Sequence, residues 1–321
     1  MKIGSLELGG NVVLAPMAGV TDSAFRAIVQ KFSVSAVWTE MISADGLVRC
    51  RRRFPTMDLL GRPAPTVFQI SGKDPLVMAE AARLVQDSGA AAVDVNMGCP
   101  APKIVRKGAG AALMRDRALA RRMVRSIRRA IQIPLTVKMR SGWDGGVEAA
   151  AEMAKDLEQE GVDGIIIHSR TPSQRHAGPA SLLVIRHVKE SVRVPVIGNG
   201  GVFSVQDAVR MKVSTDCDGV MVGRGALGRP WLPGRIIERL GGGLSSVKGP
   251  GTVVEVVREH FRYQLETRDE RSAVHRMRKH LAWYSRGFAG GSEFRARICR
   301  EENLESVLSS VEEFFGKAAI S

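Results

Sequence analysis

The chain is 321 residues long, 44% hydrophobic and 25% charged, which fits a globular protein with one large domain and room for a small one. Its 47 Lys and Arg against 33 Asp and Glu leave a net charge of +14, favouring a polyanionic partner, either nucleic acid or a membrane surface. No apolar stretch approaches the ~20 residues that span a bilayer, and the N-terminus has neither the charged start nor the apolar run of a signal peptide. Cys50, Cys99, Cys217 and Cys299 are scattered without a CxxC pair, so neither a disulfide framework nor a bound metal is expected, and a reducing cytoplasm fits.

In chain order, short apolar runs read as strands at 12–15, 36–39, 66–70, 92–96, 135–139, 164–168, 194–198 and 219–223. Amphipathic stretches between them read as helices, among them 75–87, 116–131, 147–159 and 204–211. Alternating strand and helix implies a parallel sheet, and eight repeats within about 240 residues match a (β/α)8 TIM barrel. An open doubly wound sheet competes. It would bring a glycine-rich dinucleotide turn after its first strand, whereas Ala15-Pro16-Met17-Ala18-Gly19 has the wrong spacing. Residues 241–251, rich in Gly, Ser and Pro, read as a linker after a catalytic domain over 1–240. The strand pattern then stops. Val253, Val256, Val257, Phe261 and Leu265, and later Leu304, Val307, Leu308, Val311 and Phe315, give 252–321 the period of a small helical bundle.

A barrel carries its chemistry at the carboxyl ends of its strands. Those ends here are Pro16-Met17-Ala18, Glu40, Gln69, Asn96 with Cys99, Lys138 with Arg140, His168 with Arg170, Asn199-Gly200-Gly201 and Gly223-Arg224-Gly225. Gly98 and Pro100 stop the fourth strand and leave the Cys99 thiol on a turn, with the amide of Asn96 three residues upstream. The last two ends read as a phosphate site. Their glycines expose backbone N–H groups before a helix start, and Arg224 adds a guanidinium. Lys138, near the end of a strand of alternating character, needs an anionic partner if buried, either a bound ligand or a structural salt bridge, because unpaired burial is costly. Basic residues cluster at Arg49 to Arg53, between Ala101 and Arg129, and from Arg268 to Arg300, where Trp283, Tyr284, Phe288 and Phe294 are interleaved. These clusters fit a track for a phosphate backbone.

The ordered series Leu14-Ala15-Pro16-Met17-Ala18-Gly19, Thr39-Glu40-Met41, Gln69-Ile70-Ser71-Gly72, Asn96-Met97-Gly98-Cys99-Pro100, Val137-Lys138-Met139-Arg140, His168-Ser169-Arg170-Thr171, Gly223-Arg224-Gly225-Ala226-Leu227-Gly228-Arg229-Pro230-Trp231 and His280-Leu281-Ala282-Trp283-Tyr284 resembles the tRNA-dihydrouridine synthases, specifically the bacterial B-type branch. The resemblance covers nearly the whole chain. It implies an FMN enzyme that uses NADPH to reduce the C5–C6 double bond of chosen uridines in tRNA. By similarity, FMN is held by Pro16, Met17, Ala18, Gln69, Lys138, His168, Asn199, Gly200, Gly201, Gly223 and Arg224. Cys99 is the general acid toward uracil C5, Asn96 holds the base, and Lys103, Arg140 and Arg170 are further substrate contacts. A thiol suits the role because its ordinary pKa of ~8.5 leaves a proton to give at neutral pH. A uridine stacked inside folded tRNA has to be turned out into the pocket.

Two departures accompany the resemblance. Gly201 stands where many relatives carry aspartate, and His176 and Leu182 occupy a segment that usually holds a tyrosine and a tryptophan. Other readings of the residues are a flavin barrel that reduces a free pyrimidine, of the dihydroorotate or dihydropyrimidine dehydrogenase type, and a tRNA-binding protein without catalysis. A cytoplasmic monomer with tRNA as partner, no protein partner and no membrane association is expected.

Overall fold

A computed structural model describes residues 1–50, 64–143, 146–175, 177–241 and 251–316. Eight parallel strands form the centre: β3 (Val12–Leu14), β4 (Ala36–Trp38), β6 (Thr66–Ser71), β7 (Ala92–Met97), β8 (Leu135–Arg140), β9 (Gly164–His168), β10 (Val196–Asn199) and β11 (Gly219–Val222). Each pairs with the next in chain order, and β11 returns to β3 through Val220 to Val12. The ring closes where Val37 of β4 meets Thr66 of β6, which excludes the open sheet. All eight strands fall where the alternation of apolar runs and turn residues put them. The helices α3 (Pro75–Asp87) and α6 (Val147–Gln159) match their expected bounds, and α5 (Arg117–Ala130) and α8 (Val205–Thr215) shift by only a few residues at either end.

Sequence periodicity did not reveal the antiparallel hairpin of β1 (Lys2–Ile3) and β2 (Leu6–Glu7), nor β5 (Ile42–Ser43), because two residues are too few to set a period. The hairpin has a clear use. Ile3 and Leu8 join Val13, Trp38, Val67, Ile166, Ile197 and Met221 in the apolar filling of the barrel, and Gly164 and Gly219 leave room for Ile3 and Met1 at its amino end. That end is plugged, and the cavity opens among the carboxyl ends of the strands.

The tail folds into α10 (Val253–Leu265), α11 (Glu270–Tyr284), α12 (Gly291–Ile298) and α13 (Leu304–Phe315). A Thr252 and Glu255 capping box starts α10. Its apolar stripe of Val253, Val256, Val257 and Phe261 belongs to the same continuous core as the barrel helix α1 (Ser23–Gln30). The loop after β11 touches α11 so closely that a Cβ on Gly228, at φ +74°, would lie 2.2 Å from the Trp283 carbonyl oxygen. The break between the two sequence regions is therefore bridged by a tight contact. Most of the expected linker, residues 242–250, lies outside the described residues.

Candidate active site

At the open end of the barrel a cavity of about 440 Å³ is lined by residues from the strand ends around the ring. Pro16, Met17 and Ala18 come from β3, Gln69 from β6, Asn96 and Cys99 from β7, and Lys138 and Arg140 from β8. His168 and Arg170 come from β9, Asn199, Gly200 and Gly201 from β10, and Gly223 and Arg224 from β11. Of the strand-end residues, Glu40 and Gly225 are absent from this lining, and so is Lys103. Lys103 lies exposed on the short helix α4 (Pro102–Val105), outside the cavity wall. His176 and Arg51 to Arg53 lie outside the described residues.

Cys99 is half-buried on a loop held from three sides. Asn96 Oδ1 accepts the backbone N–H of Gly98 at 3.1 Å and of Cys99 at 2.9 Å. Arg140 Nε donates to the Gly98 carbonyl at 2.6 Å, and the Ala111 N–H donates to the Cys99 carbonyl at 3.0 Å. Gly110, at φ +61°, permits that last approach, since a Cβ there would sit 2.8 Å from the Cys99 oxygen. The thiol is thus fixed at the cavity by backbone contacts rather than by the packing of its own side chain.

Arg140 and Asn96 do more structural work than their sequence assignment as substrate contacts implies. The Arg140 guanidinium is almost fully buried and also donates Nη1 to the carbonyls of Thr171 at 2.8 Å and Arg175 at 2.9 Å. It ties the Cys99 loop to the loop after β9. Burial lowers its pKa to about 10. Asn96 has its oxygen committed to the loop and one N–H to Gln69 Oε1 at 2.7 Å, leaving one N–H for a bound molecule. Asn199 likewise donates Nδ2 to the Met221 carbonyl at 2.8 Å, joining β10 to β11.

Lys138 is half-buried and its pKa is lowered to about 8, first by burial and then by the Arg140 charge. Opposite it, Gly200 and Gly201 at φ +115° and +73° turn consecutive N–H groups into a loop before α8. A Cβ on Gly200 would come within 3.0 Å of His168 and Ser169. Gly225 is equally constrained, its Cβ position lying 2.3 Å from the Val202 carbonyl. Arg224 is exposed with its guanidinium 5.5 Å from the Phe203 ring, and Arg170 Nη1 is buried without a hydrogen-bond partner. Backbone donors, two arginines and a desolvated ammonium around one cavity suit a flat, electron-rich group carrying a phosphate. Gly201, at φ +73°, holds a left-handed backbone that glycine adopts without strain.

Several residues at the site were not among the sequence-derived candidates, Val20, Val202, Phe203 and Leu227 of the cavity lining included. Met41, after β4, lines the cavity. Asp94 lies completely buried beneath Gln69. Its signal was present: an acid between Val93 and Val95, two residues before Asn96 and so on the same inward side of the strand.

The basic run on α5 needs correction as a free phosphate track. Arg117 pairs with Glu152 and Asp156, Arg121 and Arg125 share Glu160, and Arg128 meets Asp163. The partners lie on α6 and the turn after it, so much of this positive charge forms a seam between two barrel helices.

A closed barrel whose mouth joins a positioned thiol to an anion cradle defines a class of barrel enzymes that bind a phosphorylated cofactor at the carboxyl end of the sheet. The model of the dihydrouridine synthase (Dus) family matches residues 13–319, and the chain belongs to that family. It is 38% identical over 319 residues to a probable tRNA-dihydrouridine synthase of Rickettsia bellii, covering 98% of each chain. It is 36% identical over 317 residues to tRNA-dihydrouridine synthase B of Xanthomonas campestris, covering 98% of this chain and 96% of that one. Among solved structures, a morphinone reductase variant in complex with tetrahydroNAD aligns with a TM-score of 0.56 at 15% identity, over 75% of this chain and 90% of that one. A 2-naphthoyl-CoA reductase complex aligns with a TM-score of 0.60 at 14% identity, over 74% of this chain and 51% of that one. These structural likenesses concern the barrel fold.

Proposed function

We propose that this chain reduces the C5–C6 double bond of uridines in tRNA to give 5,6-dihydrouridine, with FMN as cofactor and NADPH as reductant. Family membership supports the reading, and one observation carries it: the Cys99 thiol faces the same cavity as the glycine and arginine cradle. When bound, FMN supplies hydride to C6 of the uracil. Lys138, Gln69 and Met17 hold its ring system in this reading, and Gly200, Gly201, Gly223 and Arg224 hold its phosphate.

Cys99 donates the proton to C5. Lys138 and Arg140 line the same cavity and place two positive charges there for an electron-rich ring. The free N–H of Asn96 and the unpartnered Nη1 of Arg170 are donors for the polar edge of the base. The plugged amino end of the barrel limits entry to the carboxyl mouth, where the target base has to be turned out of the tRNA stack. Exposed Arg271, Arg276, Arg286 and Arg300 of the tail are cations available to the phosphates of the tRNA body. The setting is the cytoplasm, and the enzyme acts as a monomer. Among the described residues no helix is long and apolar enough to cross a membrane.

The test is direct. Purified protein with FMN and NADPH is incubated with tRNA lacking dihydrouridine, and the product is mapped by mass spectrometry. A two-dalton gain at D-loop uridines supports the reading. Turnover of free uracil or orotate with no change in tRNA replaces it with the free-pyrimidine alternative.

A further inference from the structure

Asp94 in β7 is a buried acid that the reaction as described does not use. Its Oδ1 accepts from Thr136 Oγ1 at 2.6 Å and its Oδ2 from Gln69 Nε2 at 2.7 Å. Gln69 Oε1 accepts from Asn96 Nδ2 at 2.7 Å, and Asn96 Oδ1 accepts from the Gly98 and Cys99 N–H groups. Two side-chain amides thus stand in line between a carboxylate and a pair of backbone donors.

Each end constrains the line. An ionised carboxylate can only accept, so Gln69 has to turn its NH2 group toward Asp94. Two backbone N–H groups can only donate, so Asn96 has to turn its oxygen toward the Cys99 loop. A single orientation of both amides satisfies the two ends together. Rotating either amide opposes donor to donor or acceptor to acceptor in a buried site.

We infer that Asp94 is a positioning residue, whose acceptor-only carboxylate sets the direction of the Gln69 and Asn96 amides and through them the seat of the Cys99 loop. The inference rests on the reading of this mouth as a uridine-reducing site. It adds a reason for an acid on an otherwise apolar strand, facing Gln69, Thr136, Trp38 and Lys138. Burial raises the Asp94 pKa to about 6, while the hydrogen bonds from Thr136 and Gln69 and the Lys138 charge favour the ionised form that enforces the direction.

The experiment compares wild-type protein with Asp94→Asn, which keeps the shape and can present either a donor or an acceptor to Gln69. Amide hydrogen exchange is followed on the holoenzyme at Gly98 and Cys99, with α10 as an internal reference. The expected result is exchange faster by about tenfold at the two loop amides and no change in α10. In parallel, kcat for dihydrouridine formation falls by about tenfold, while KM for tRNA and flavin content stay within about twofold. The double variant Gln69→Glu with Asp94→Asn restores a donor and an acceptor with Asn96 still facing the loop, and it recovers at least half of the lost protection. Unchanged exchange in Asp94→Asn overturns the inference. If that variant does not fold, Gln69→Leu cuts the same line while leaving both ends, and unchanged exchange there overturns it equally. A wild-type enzyme that forms no dihydrouridine defeats the proposed function and leaves the exchange result to judge the line of amides.

Discussion

The Lys279 ammonium on α11 donates to the carbonyl of Gly19, a residue of the loop after β3 and 260 positions earlier in the chain. The N–H of the same glycine donates to Glu40 Oε1 at 2.5 Å. Gly19 sits at φ +74°, and its loop carries Pro16, Met17 and Ala18 into the cavity wall. The helical tail therefore takes part in shaping the barrel mouth, besides whatever it binds itself.

Lys279→Met removes the donor to Gly19 and loosens the loop that carries Met17. The lost contact amounts to about 1 kcal/mol, so flavin dissociation is expected to quicken about fivefold. Flavin fluorescence on dilution measures it. A dissociation rate equal to wild type shows that the tail contact does not hold the loop.

Arg276 is more exposed and lies 3.7 Å from Asp22. Arg276→Gln is expected to weaken tRNA binding and lower the slope of log affinity against log salt by about one. Binding titrations at several salt concentrations read both. An identical slope places the tRNA backbone elsewhere on the tail.

Cys99→Ala removes the proton donor without touching the backbone bonds that hold its loop. Product formation is expected to fall by about 10²- to 10⁴-fold, the usual contribution of a general acid. Flavin content and tRNA affinity stay as in wild type. Turnover within a few-fold of wild type removes the thiol from the chemistry.

Arg140→Met removes the donor to the carbonyl oxygens of Gly98, Thr171 and Arg175, and the longer 3.5 Å contact to that of Arg170, in a half-closed site. The loss is expected at about 2–3 kcal/mol of stability, together with a misplaced Cys99 loop. Denaturant unfolding measures the first and the product assay the second. Unaltered stability contradicts the clamp.

Stability falls with acid through a histidine pair at the junction of barrel and tail. The rings of His260 on α10 and His280 on α11 lie 4.6 Å apart, fully buried against Phe25 of α1. Burial pushes both pKa values down, and the Lys279 charge adds to this at each ring. Arg276 and the neighbouring ring lower His280 further, whereas Asp22 of α1 acts in the opposite sense on His260. A depressed folded pKa means that the unfolded chain binds the protons first. Stability is complete above the unfolded value of ~6.5 and declines as pH falls below it. Neither nitrogen of His280 has a hydrogen-bond partner, so His280→Phe is expected to reduce the loss between pH 7.5 and 5 at no cost at pH 7.5. Urea unfolding at the two pH values gives the comparison, and an unchanged difference excludes the pair as the source.

Sequence by itself determined the eight barrel strands, the helical tail and the end of the barrel where the cavity opens. It could do so because apolar runs, glycine turns and the alternation of strand and helix are local signals, readable within a window of ten or so residues. The Cys99 turn and the Gly200-Gly201 loop were legible for the same reason. Only the tertiary structure decided how the polar groups are shared. That Glu160 is shared by Arg121 and Arg125, that Arg140 donates to the carbonyls of Gly98, Thr171 and Arg175, and that Asp94 stands behind Gln69 depend on partners 25 to 42 positions apart. A charge or an amide has no sequence period. Its role is set by which donors and acceptors the closed barrel brings within 3 Å of it, and closure is a property of the whole ring.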